Sequence, residues 1–152
     1  MQVTRDTVLD ALIPYFDKDP RYILIVNDMG FGKMDKIRSL FPKRVFNFGI
    51  MEQATTGIAA GMAATGLIPI IYSIAAFLVY RSLEQIKMDV VLLGRNVKMI
   101  GNGSGDYFEF LDEIHHMRHD DRKIPEVVGL PVYEGREFEA WMASPKGGYI
   151  RC

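Results

Sequence analysis

Apolar positions along the chain alternate between two periods. Val8, Leu9, Leu12 and Ile13 recur at helical spacing after Thr4, which predicts a capped helix from about Arg5 to Phe16, with Pro14 bending its last turn and Asp17 to Pro20 ending it. Tyr22 to Val26 is an unbroken apolar run up to Asn27 and Asp28, as expected of a strand covered on both faces. The alternation then repeats. Gly30 and Gly32 form a loop, Asp35 to Phe41 a short helix stopped by Pro42, Arg44 to Phe48 a strand, and the stretch after Gly49 a helix to about Ala64. In that helix Gly57 and Gly61, four residues apart, predict a smooth face for close backbone packing. Ile68 to Tyr72 reads as a strand, Phe77 to Leu93 as a helix with Ile86 and Val90 inward, and Val97 to Ile100 as a strand. Gly101 to Lys123 is polar and mixed; Val127 to Val132 then reads as a strand, Glu134 to Ala143 as a helix and Gly148 to Arg151 as a last short strand. This order predicts an α/β fold, a three-layer αβα sandwich with a mostly parallel sheet.

Composition narrows the reading. A chain of 152 residues, 49% hydrophobic, suits one domain over 1–152. A formal charge of −1 and no long run of one sign exclude a phosphate-backbone binder, so no nucleic-acid partner is expected. Gln53 to Tyr80 carries no charge, yet Gly57, Gly61, Gly66 and Pro69 punctuate it, so a buried helix, turn and strand are expected rather than a membrane span. Cys152 is the sole cysteine, and the N-terminal stretch carries Arg5, Asp6 and Asp10 without an apolar core. A reducing, cytoplasmic setting is the expectation.

Three patterns carry candidate chemistry. The loop Asp28-Met29-Gly30-Phe31-Gly32-Lys33 follows a strand and precedes a helix, but it matches neither dinucleotide nor P-loop spacing and reads as an ordinary turn. His115, His116, His119, Asp120 and Asp121 put two histidines four apart, although no third metal ligand is separately marked; a solvated or substrate-facing group is expected, with no metal held by this chain. Glu52 stands in the first turn of an otherwise apolar helix. It is either a surface charge favoured by the helix dipole or a buried acid with a task.

The context of Glu52 decides between them. The stretch from Arg44 through Gly49-Ile50-Met51-Glu52-Gln53 to Gly61 resembles the pyrimidine-binding domain of the transketolase family, in which a strand leads into Gly-Ile-x-Glu-Gln and a small-residue helix. Gly66-Leu-Ile-Pro69, the Ser73 to Phe77 turn, Arg81-Ser-Leu-Glu-Gln85-Ile and Asn96-Val-Lys-Met follow in the same order. Arg5-Asp6, Asn27-Asp28-Met29, His115-His116 and Ile124-Pro125 extend the resemblance over nearly the whole chain, more loosely after Gly103.

The resemblance implies the thiamine-diphosphate-binding fold and a cofactor lying between two polypeptides. Glu52 would hydrogen-bond the aminopyrimidine, since a carboxyl group withdrawn from water can share a proton with a weakly basic ring. Phe77 would stack on that ring, with Ile74 in place of a companion aromatic and with Asp28, Met29 and Gln53 beside it. His115 would meet the reacting end of the substrate as a second catalytic group, next to His116, and Arg5 and Arg151 stand where family arginines meet a phosphate. A family histidine appears as Gly103 and a phosphate-gripping serine as Gly32, and the acidic turn before His115 is replaced by Glu109-Phe-Leu-Asp112-Glu113. Ordinary ketose-phosphate transfer is therefore in doubt, and a shorter, unphosphorylated or otherwise modified small keto or aldehyde substrate is expected. No Gly-Asp-Gly metal motif and no third domain are found, so a separate diphosphate-binding subunit holding Mg²⁺, in two copies of each chain, is expected. The implied activity is transketolase-like transfer of a ketol or acyl unit. A two-subunit 2-oxo-acid decarboxylase and a non-catalytic scaffold or regulatory subunit are the alternatives.

Overall fold

A computed structural model of the chain describes residues 2–118 and 120–152. Six strands form one sheet in the order β2-β1-β3-β4-β6-β5, and every pairing is parallel. The strands are β1 (Tyr22–Val26), β2 (Val45–Asn47), β3 (Ile68–Ile74), β4 (Lys98–Asn102), β5 (Val132–Glu134) and β6 (Gly148–Arg151). Parallel strands need crossovers that cover both faces, and the side-chain alternation shows it. Tyr22, Leu24, Val26, Ile70, Tyr72 and Ile150 join α1 (Val8–Lys18), α2 (Asp35–Leu40) and α7 (Phe138–Ala143) in one core cluster. Ile23, Ile25, Ile71, Met99 and Tyr149 join α3 (Glu52–Ala64), α4 (Ala75–Arg81) and the helical segment after it in the other. The α/β three-layer architecture is as the alternation predicts. No helix among the described residues is long and apolar enough to cross a membrane.

Several elements differ from expectation, each for a local reason. The first helix starts at Val8, because Arg5 to Thr7 form a turn in which the Asp6 amide donates to Thr4 Oγ1 at 3.3 Å. The expected Phe77 to Leu93 helix breaks at Ser82, whose hydroxyl bonds back to the Leu78 carbonyl. It resumes as α5 (Leu83–Gln85) and widens into a π-helical segment, Ile86–Val91, with Ile86 and Val90 buried as predicted. The run read as a strand at Val127 to Val132 is the end of a helix, α6 (Asp120–Val127), followed by a turn at Gly129; Val127 is 82% exposed and the strand is Val132–Glu134. Two aspartates in the first turn of α6 favour the helix that the apolar run conceals. Within the described residues nothing packs within 4 Å of a side chain built at Gly61, and only Asp89 Oδ2, at 3.8 Å, approaches Gly57. The smooth face of α3 is thus uncovered on this chain.

Sheet order sets the position of any ligand. The chain leaves β1 toward β2 and leaves β3 toward β4, on the opposite side, so the loops after β1 and β3 diverge. In open parallel sheets such a switch point, at the carboxyl ends of the strands, is where a crevice forms.

Candidate active site

Glu52 is the first residue of α3 and is only 2% exposed. Two asparagines set its place. Asn27, at the end of β1, donates to the Gly49 carbonyl at 3.0 Å and to Thr55 Oγ1 at 2.8 Å. Asn47 Oδ1 accepts from the amides of Asp28 and Gly49, at 3.0 and 2.9 Å. The two strand-to-helix loops are thereby stitched together beneath the carboxylate. The helix N-terminus adds a favourable partial charge.

The two oxygens of Glu52 differ. Oε2 accepts from Arg81 Nη1 at 2.9 Å, while among the described residues no side chain donates to Oε1. Glu52 lines a cavity of about 550 Å³ together with Ile50, Met51, Gln53, Ala54 and Arg81. Arg81 also lies over the ring of Phe77, its guanidinium carbon 3.9 Å from the centroid. Phe77 in turn meets His115, with ring centroids 5.2 Å apart. Glu52, Arg81, Phe77 and His115 therefore form one continuous row. His115 Nδ1 lies 2.7 Å from Asp112 Oδ1, and this hydrogen bond holds the Asp112 carboxyl below its usual range.

Other predicted residues fall elsewhere. Arg5, Asp28, Met29 and Ile74 line a second cavity at the switch point, together with Tyr72 and Asn102. His116 is buried, its Nδ1 4.0 Å from Asp106, in a pocket with Tyr80 and Met117. Arg151 is not free to meet an anion: it donates to both oxygens of the fully buried Asp121, at 2.7 and 3.2 Å, and to Glu134 at 2.9 Å. Burial opposes its charge, but these bonds carry its pKa above the ordinary arginine value. The histidine and aspartate cluster does not converge. Asp120 accepts from Tyr80, Asp121 is held by Arg151, His115 by Asp112, and His119 lies outside the described residues. Among the described residues no group of three or more His, Cys, Asp or Glu could hold a metal. Sequence reasoning missed Arg81. Its signal was the spacing from Phe77, four residues on one helix face.

Residues 1–109 match the family profile described as transketolase, pyrimidine binding domain. The chain belongs to the transketolase pyrimidine-binding domain family. Within this transketolase family it is similar to the 6-deoxy-6-sulfo-D-fructose transketolase subunit SqwH of Clostridium sp. (strain MSTE9), 34% identical over 131 residues, which are 86% of this chain and 41% of that protein. An apulose-4-phosphate transketolase subunit of Phocaeicola vulgatus is 31% identical over 87% of this chain and 43% of its own length. The chain thus spans less than half of these relatives. Among solved structures, a split-gene transketolase described as an inactive β4 tetramer superposes with a TM-score of 0.83 at 24% identity, over 99% of this chain and 50% of that one. Transketolase from Campylobacter jejuni gives 0.81 at 16% identity, over 99% and 25%. These likenesses bear on the fold.

Proposed function

We propose that this chain supplies the pyrimidine side of a thiamine-diphosphate site in a two-component transketolase-type transferase. The observation that carries the reading is the state of Glu52, a buried acid on the lining of a cavity, with one carboxylate oxygen fixed by Arg81 and no side chain among the described residues donating to the other. That donor set fits a flat heterocycle with a ring nitrogen able to share a proton. When bound, the cofactor supplies the carbanion chemistry. The chain's own part is to hold and orient the ring. Glu52 would share a proton with the ring nitrogen, Arg81 keeps the carboxylate in one rotamer, and Phe77 provides the aromatic wall of the row. His115, oriented by Asp112, stands at the far end of that row, suited to a polar group of a small keto or aldehyde substrate.

The diphosphate and Mg²⁺ are assigned to a partner subunit, with two copies of each chain in the assembly. Support comes from the relatives, which are named as transketolase subunits, and from the apolar rim of the Glu52 cavity, where Ile50 and Met51 are 67% and 47% exposed. The test is Glu52→Gln in the complex reconstituted with its diphosphate-domain partner. Glutamine keeps a hydrogen bond but cannot exchange the proton, so kcat should fall roughly 10²- to 10⁴-fold while the far-ultraviolet circular-dichroism spectrum of the isolated chain stays that of the folded parent. Undiminished turnover would sink the assignment.

A further inference from the structure

The cavity at the switch point between β1 and β3, about 350 Å³ in volume, is separate from the one bordered by Glu52. Among the described residues, three buried polar atoms of its lining find no hydrogen-bond partner: Arg5 Nε, the Tyr72 hydroxyl and Asn102 Oδ1. Tyr72 is fully buried and Asn102 is 3% exposed. Unmet polar groups at such depth each cost free energy, and three on one cavity mark a place for a ligand that satisfies them.

The opposite wall is apolar and comes from an unexpected position. A side chain built at Gly103 would drive its Cβ into Phe108 Cε2, so the Phe108 ring fills the space that residue 103 would otherwise claim. Gly103 has φ +69°, a second reason for glycine there. Tyr107 packs edge-on against Phe108, with centroids 4.9 Å apart, and the guanidinium carbon of Arg5 lies 4.4 Å from the Tyr107 centroid and 5.8 Å from that of Phe108. The faces of the two rings answer the charge of Arg5 and leave its Nε edge for a hydrogen bond.

Charge and donor balance select the ligand. Lys33 on the wall is paired with Asp6, and Asp28 on the wall offsets Arg5, so no net positive charge awaits a phosphate. Burial pushes the Tyr72 hydroxyl up to about 12, so it remains an O–H group. Asn102 Oδ1 requires a donor, which an ionised phosphate or sulfonate oxygen is not and a hydroxyl is. We propose that Phe108, given room by Gly103, determines specificity at this cavity, which takes the uncharged, hydroxylated end of a short sugar and excludes a phosphorylated one. Sugar hydroxyls meet Arg5 Nε, Tyr72 and Asn102, and a C–H face lies on Phe108. That the bound end belongs to a donor or acceptor of the transferase rests on the reading above; the binding does not, because the cavity is built within this chain.

The experiment titrates the ¹⁵N-labelled full chain with erythritol and, separately, with glycerol 3-phosphate, following Arg5 Nε–H, the Asn102 side-chain amide and the Gly103 backbone amide. Erythritol should shift all three saturably, and glycerol 3-phosphate should bind roughly tenfold more weakly or not at all, the discrimination expected when a buried polar group is left unpaired. Phe108→Ala should weaken erythritol binding roughly three- to tenfold, and Gly103→Ala, which displaces the ring, should do the same. Tighter binding of glycerol 3-phosphate by the unaltered chain, or no shift with erythritol, overturns the proposal whatever becomes of the variants. Equal erythritol affinity in a folded Phe108→Ala variant removes Phe108 from it. None of these readouts needs cofactor, metal or partner, so an inactive reconstituted complex leaves them standing.

Discussion

Glu52 Oε2 and Glu52 Oε1 divide their labour, and Arg81 is the reason. A carboxylate withdrawn from water is costly unless a donor meets it, and Arg81 meets one oxygen while lying flat on Phe77. Arg81→Met should therefore lower stability by about 1–3 kcal/mol, because it leaves a buried acceptor without its donor. Combined with Glu52→Gln, the loss should be smaller than the sum of the two single losses, since both act on the same charged contact. Urea midpoints of the four proteins measure this directly, and strict additivity would show that the pair is not coupled. The sequence marked Glu52 through the surrounding motif, whereas its position alone allowed a surface charge. Arg81 stood at the head of a family-like stretch and four residues after Phe77, yet its pairing with Glu52 was hidden, since nothing in a sequence tells which carboxylate a lysine or arginine will reach.

At the scale of elements, buried strands were the most legible. Tyr22 to Val26 and Gly148 to Arg151 are strands with the bounds the sequence predicts. Helix continuity was less so, because Ser82 turns its hydroxyl into the helix rather than to water, and the apolar Val127 to Val132 stretch opens as a helix end, with Val127 exposed and Leu130 buried. Lys98 was hidden altogether. In the middle of the sheet its ammonium donates to the carbonyls of Trp141, Ser144 and Lys146, at 2.8, 2.7 and 3.0 Å, and so closes the carboxyl end of α7. Lys98→Met should cost about 2–4 kcal/mol, since those carbonyls lose their donor, read as a fall in the thermal midpoint. Burial lowers the Lys98 ammonium to about 8, from an ordinary 10.5. Between those values the unfolded chain holds more protons than the folded one, so the Lys98 contribution to stability rises as pH climbs from about 8 to 10.5. The gap between the parent and Lys98→Met should widen over that window; a gap that narrows would contradict the shift.

For the whole molecule, one sheet with a core on each face is expected to unfold as a unit. Trp141 is fully buried and donates from Nε1 to the Gly148 carbonyl at 3.0 Å, so its fluorescence reports on the α7 and β6 side. Fluorescence and far-ultraviolet circular dichroism should give coincident urea transitions; two separated transitions would divide the chain into independent units. The ion pairs around Arg151 join α6, β5 and β6 across that side. Asp121→Asn should lower stability by about 1–3 kcal/mol, since Arg151 loses one of its two charged partners and keeps Glu134, and should do so without affecting erythritol binding.

The sheet order also bears on how the chain is made. Among the described residues β5 pairs with β6 alone, and β6 is synthesised after it yet lies between it and β4. As the polypeptide leaves the ribosome, the first four strands can assemble early, while β5 must wait with its backbone unpaired until Gly148 to Arg151 emerge. A nascent chain stalled before residue 148 would expose the edge of β4 and a loose β5 together, a species that chaperones should bind and that the finished protein never presents.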